Sequence, residues 1–118
     1  MVLGDFNARV GSATASFDVI GQFGETTCNA NGKRLVNFLH ASDMYALNGR
    51  KFSREPAWTR CRLSRSEQSV IDYMLVDSDT LSIGTVLDVS TSDVSDHFLV
   101  HCLLPMRAKA HRSVVCSC

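Results

Sequence analysis

This chain lacks a long apolar run, a surplus of charge and any spaced metal-binding cysteine pattern. No stretch approaches the roughly 20 apolar residues that a membrane-spanning helix needs. Lys and Arg number 12 against 12 Asp and Glu, so no global field draws the chain to nucleic acid or to a membrane surface. The five cysteines, Cys28, Cys61, Cys102, Cys116 and Cys118, are odd in number and without zinc spacing. Cys116-Ser117-Cys118 is too tight for a usual zinc knuckle. No signal-peptide pattern is present, so reduced thiols in an intracellular compartment, nuclear or cytoplasmic, are expected rather than a secreted disulfide framework. Internal repeats and low-complexity tracts are missing as well. At 118 residues, one domain is the limit.

What is present is a core and a segregated charge. Hydrophobic residues make up 45% of the chain, enough for a core near the small end of independent domains. Six bases, Arg50, Lys51, Arg54, Arg60, Arg62 and Arg65, face one acid, Glu55, between positions 50 and 65. Seven acids and no Lys or Arg follow between positions 66 and 106. A basic loop beside an acidic site suits a phosphodiesterase that grips a polyanion, and a solvated loop without a partner fits equally well.

The first short strand, Met1–Leu3, leads through Gly4 to Asp5 and Asn7, a carboxylate and an amide two residues apart. Positions two apart on extended backbone share a face, so the pair can converge on one small polar target. An ordinary turn is the competing reading. Gly- and Ser-rich sequence from 8 to 31 predicts a long loop with a short strand at Phe17–Ile20. Leu35, Val36 and Leu39 predict an amphipathic helix over Gly32–Ser42, capped by Asn31 and ended by Asp43. Further strands are expected at Met44–Asn48, Ala57–Arg60, Ser69–Val76, Ile83–Val89 and Phe98–Leu104, the last closed by Pro105. The expected architecture is a β-rich α+β unit over residues 1–105, mainly antiparallel with one clear helix. A basic, Cys-containing tail over 106–118 follows.

Asp72 is out of place in its apolar strand, because an unpaired buried carboxylate is costly. No Lys or Arg is near it in sequence. His97, at the entry to the last strand, is the candidate partner; such a pair either performs chemistry or only links two strands. Asp96 shares a site with His97 only if the chain turns there. Together Asp5, Asp72 and Asp96 with Asn7 and His97 supply oxygen ligands for Mg2+, an orienting group for water and a cation for a charged transition state.

Gly4-Asp5-Phe6-Asn7, Trp58-Thr59, Ile71-Asp72-Tyr73 and Ser95-Asp96-His97, in that order, resemble the endonuclease/exonuclease/phosphatase superfamily. The nearest likeness is to endonuclease domains of non-LTR retrotransposons and to craniofacial development protein 2-like sequences. Asn31-Gly32-Lys33-Arg34-Leu35 before a helix fits the same group. The resemblance spans about residues 1 to 104 and matches only the C-terminal half of the family's domain. It implies half of a four-layer α/β-sandwich of DNase-like type and Mg2+-dependent phosphodiester hydrolysis of DNA, with Mn2+ as the alternative ion.

The resemblance also implies a role for each matched position. Asp5 would orient or deprotonate water, and Asn7 would hold it with a phosphate oxygen. Asp72 would position His97, His97 would stabilise charge at phosphorus, and Asp96 would contribute to metal binding. Trp58 and Thr59 would line the floor of the site, or Trp58 would anchor the core. Val94 stands where the family often has Gly. The family's other half, which carries an Asn and the principal metal-binding Glu, has no counterpart here. Impaired hydrolysis is therefore expected of this chain. The alternatives are a non-catalytic remnant that self-associates through an uncovered apolar face, and a phosphoesterase acting on a lipid or small phosphorylated substrate.

Overall fold

A computed structural model describes residues 1–51, 53–62, 67–105 and 111–116, the last segment by its backbone alone. Arg65 and Cys118 lie outside the described residues.

The organising element is a strand of five residues, Asp72–Val76 (β5), every one of them buried. Alternation on a strand sends successive side chains to opposite faces. Tyr73 and Leu75 enter one apolar cluster with Ala8, Val19, Ile20, Leu35 and Leu39. Met74 and Val76 enter a second with Leu47, Leu87, Val100 and Cys102. A strand covered on both faces is necessarily apolar along its length, which leaves Asp72 as the exception to be explained.

Val2–Asp5 (β1) and Tyr45–Ala46 (β2) flank β5 in the antiparallel order β1-β5-β2. Between them runs Ala30–Ser42 (α1), whose Leu35 and Leu39 fill the first cluster. Arg60–Arg62 (β3) and Glu67–Ser69 (β4) form a two-stranded antiparallel pair. Ser78–Ser82 (α2) follows β5, and Val86–Ser90 (β6), Leu99–Pro105 (β7) and His111–Cys116 (β8) form the third antiparallel sheet, in the order β6-β7-β8. The molecule is thus an α+β unit of antiparallel sheets with one main helix. Among the described residues no helix is long and apolar enough to cross a membrane.

Several sequence expectations shift, each for a local reason. Phe17–Ile20 is not a strand. A 3-10 turn at Thr14–Ser16 precedes it, and the N–H groups of Val19 and Ile20 both bond the Ser16 carbonyl. The cap of α1 is Asn29, not Asn31, because its side chain accepts from the Gly32 N–H at 2.7 Å. Asp43 does end the helix, in the left-handed conformation. The strand expected over Ser69–Val76 is two, β4 and β5, broken where Thr59 Oγ1 takes the N–H groups of Ile71 and Asp72. At Ala57–Arg60 the strand begins only with Arg60, and Trp58 N–H closes a turn onto the Pro56 carbonyl.

The strand expected at Ile83–Val89 starts three residues later and follows a helix that the apolar pattern did not signal. Asp77 caps that helix by accepting from the Thr80 N–H at 2.8 Å. Pairing also runs past Pro105: β8 continues the sheet from His111, within the segment expected to be a tail. Residues 106–110 and 117–118 of that segment lie outside the described residues.

Candidate active site

Asp5 ends β1 and Asp72 opens β5, and the antiparallel register sets them directly opposite each other. Opposed residues present their side chains on one face. It is the face on which Leu3, Met74 and Val76 meet the second cluster. Asp72 is fully buried there. His97 meets that carboxylate, its Nδ1 3.0 Å from Oδ2 and 3.2 Å from Oδ1. With the Nδ1–H donating to Asp72, Nε2 is turned toward Asp5, whose Oδ2 is 3.8 Å away. One ligand atom from each of Asp5, Asp72 and His97 lies within 4.8 Å of the others.

Backbone pairing delivers His97 to this point. The Phe98 N–H bonds the Thr59 carbonyl at 2.7 Å, and the Cys61 N–H bonds the Asp96 carbonyl at 2.8 Å. Arg60 and His97 form a single antiparallel bridge between them. The Ser95 hydroxyl accepts from the His97 N–H at 3.1 Å and closes the turn before it. Thr59, also fully buried, ties the arrangement together from behind: its Oγ1 accepts from Ile71 N–H at 3.0 Å and from Asp72 N–H at 3.1 Å. Trp58 is half-buried and packs on the first apolar cluster.

Asn7 leaves the strand with φ 47, a left-handed conformation that Asn tolerates better than most residues. This turns its own N–H back onto Asp5 Oδ1 at 2.8 Å. Its carbonyl accepts from Asn31 Nδ2 at 3.2 Å, and Asn31 Oδ1 accepts from Arg34 Nη1 at 2.9 Å. The first turn of α1 therefore braces the Asp5–Asn7 loop. Close approach is essential here, since a Cβ on Gly32 would sit 1.8 Å from the Arg9 carbonyl oxygen.

Asp96 does not join the Asp5–Asp72–His97 group. Its Oδ2 faces Arg60 Nε at 3.1 Å, and that guanidinium holds the Asp96 carboxyl below its ordinary range. Two positions to which the sequence assigns no part in the site prove central to its geometry. Asn48 is buried and extends the β2 pairing with its side chain, donating to the Asp72 carbonyl at 2.9 Å and accepting from Met74 N–H at 3.1 Å. Before a Gly it reads as a turn residue, so its burial has no sequence signal. Arg60 is one base in a basic run, and nothing in its spacing distinguishes it.

The donor set suits a hard divalent cation. Asp5 is exposed and free of any Lys or Arg partner among the described residues. Mg2+ is commonly held by one or two carboxylates, with water and substrate phosphate completing the shell. Beside Asp5 are the buried Asp72–His97 pair and the exposed Asn7. No protein-family model, no curated protein and no solved structure matches this chain.

Proposed function

We propose that this site hydrolyses phosphodiester bonds in DNA with Mg2+, or Mn2+ in its place, at an impaired rate, and that the fold is one half of a DNase-like four-layer sandwich. The observation that carries the reading is the His97 ring, held at Nδ1 by a fully buried Asp72 and facing an exposed Asp5 with Nε2. A carboxylate sealed from water in a strand, with a histidine as its partner and a second carboxylate opposite, is an expensive arrangement for a purely structural link.

In the reaction, Asp5 orients a water molecule and accepts its proton as the water oxygen bonds to phosphorus. The P–O bond to the leaving sugar oxygen breaks in line with that attack. His97, kept in one orientation by Asp72, turns Nε2 toward the phosphoryl oxygens, where charge accumulates. Asn7 holds the water or a non-bridging oxygen from the other side. Asp5 would also hold the cation, which supplies Lewis-acid stabilisation of the phosphoryl oxygens when bound. The basic residues of β3 and the loop before it favour a polyanion over a neutral lipid surface.

The test is conversion of supercoiled plasmid to nicked circles. Nicking that needs Mg2+ or Mn2+ and disappears in Asp5→Ala and His97→Ala supports the reading. No nicking by the unsubstituted chain with either ion, or cleavage only of a phosphoinositide or a small phosphoester, overturns it.

A further inference from the structure

Beside the catalytic group lies a polar hollow of about 210 Å3, bordered by Asn7, Arg9, Arg60, Glu67, Gln68 and Ser69. Asn7 belongs to both, and the Arg60–His97 bridge makes β3 the shared wall. Two guanidinium groups face this hollow, and they differ in what they have left to offer. Arg9 is spent on the buried Glu25, with Nε 2.5 Å from Oε1 and Nη2 2.9 Å from Oε2, and Nη2 also reaches the Gln68 carbonyl at 3.3 Å. Arg60 makes one side-chain contact, Nε to Asp96 Oδ2. Among the described residues its two terminal amino groups make no hydrogen bond. Glu67 also borders the hollow and stands across from Arg62 in the β3–β4 register, with its charge felt by Arg9.

We propose that this hollow receives the phosphate next to the scissile one, gripped by the terminal amino groups of Arg60, and that Asp96 is the positioning residue that aims Arg60. The inference rests on the nuclease reading for what lies beside the hollow, and extends it to how the strand is held. A guanidinium fork matches two phosphate oxygens in a way a flexible ammonium does not. Anchoring Nε alone removes rotamer freedom while leaving both terminal groups for the ligand. The carboxylate of the Ser95-Asp96-His97 stretch thus acts through an arginine.

The experiment separates binding from cleavage. Fluorescence anisotropy of a labelled duplex oligonucleotide, in EDTA so that no turnover occurs, gives Kd across a salt series for the full chain. Arg60→Ala is expected to weaken binding about 10-fold and to make the slope of log Kd against log salt shallower by close to the ~0.9 that one phosphate contact contributes. Arg60→Lys should keep the salt slope and recover only part of the affinity. Asp96→Asn should weaken binding less than Arg60→Ala, with its slope unchanged. If the chain nicks plasmid, Arg60→Ala should raise KM far more than it lowers kcat.

Binding and salt slope unchanged in Arg60→Ala, or Arg60→Lys equal to the unsubstituted chain at every salt, overturns the proposal. Circular dichroism of each variant guards against misfolding, and Arg60→Lys keeps the test valid should Arg60→Ala not fold. A chain that binds DNA through Arg60 and never nicks it would sink the nuclease reading and leave the anion-binding hollow standing.

Discussion

Asp5 and Asp72 stand opposite each other in one strand pair, yet the side chain of Asp5 is 43% exposed and Asp72 is fully buried. The end of β1 lies at the rim of the sheet, whereas β5 is covered on both faces. Asp5 is open to solvent, while the Asp72 carboxylate bonds His97 beneath it. Two like residues, facing each other, therefore differ in exposure because β1 is the edge strand and β5 the central one.

Thr59 carries the weight behind this pair. Thr59→Val keeps the shape of the side chain but leaves the Ile71 and Asp72 N–H groups buried and unpaired. The expected loss is about 2 to 6 kcal/mol, at roughly 1 to 3 per orphaned group. Urea denaturation should register it, with Thr59→Ser retaining most of the stability. Equal midpoints for the Val and Ser variants would contradict the role given to the hydroxyl.

Gly32→Ala in a helix ordinarily gains up to about 1 kcal/mol from propensity. Here the added Cβ would lie 1.8 Å from the Arg9 carbonyl oxygen and 2.4 Å from its carbon, and backbone cannot step aside as a side chain can. The clash should win. The variant is expected to melt several degrees below the unsubstituted chain, and to loosen the Asn7 loop braced by α1. A higher melting temperature would show that the helix does not sit so close.

Asp77 gives the fold an acid-side dependence. Its carboxylate accepts from the Thr80 N–H, which lowers its pKa below the ordinary 3.8. A group whose folded pKa is depressed contributes stability above its unfolded pKa and loses it as pH falls through the folded value. Asp77→Asn keeps a capping oxygen without the charge, so its stability should fall less steeply below pH 3.8 than that of the unsubstituted chain. Chemical denaturation at a series of acid pH values measures this, and parallel acid limbs would contradict it.

The strand that carries Asp72 and the helix over Leu35 and Leu39 were legible because a continuous run of β-formers and a period-3.6 apolar pattern survive in sequence. Asp72 was conspicuous for the same reason, as a carboxylate interrupting an apolar run. What stayed hidden depends on partners distant in the chain. Nothing near Ser69–Val76 tells that a threonine ten residues upstream takes two of its N–H groups and splits it in two. Phe17–Ile20 has strand-like composition, but the Ser16 carbonyl captures two N–H groups and turns the chain. Asn48 is half of the Asn-Gly turn that the sequence signals, but its side chain also pairs with Asp72 and Met74 of β5 in the interior. Arg60 and Asp96, 36 residues apart, meet only because the segment before β7 returns alongside β3.

The most direct test of the whole picture is the rate of Mg2+-dependent plasmid nicking by Asp72→Asn, with circular dichroism to confirm the fold. The carboxamide fills the same space but offers the imidazole Nδ1 no carboxylate. A drop of at least 100-fold in rate on an intact fold is the expected result, in the range typical for loss of a catalytic acid–base or orienting group. A variant that nicks as fast as the unsubstituted chain would show that the buried pair only joins two strands.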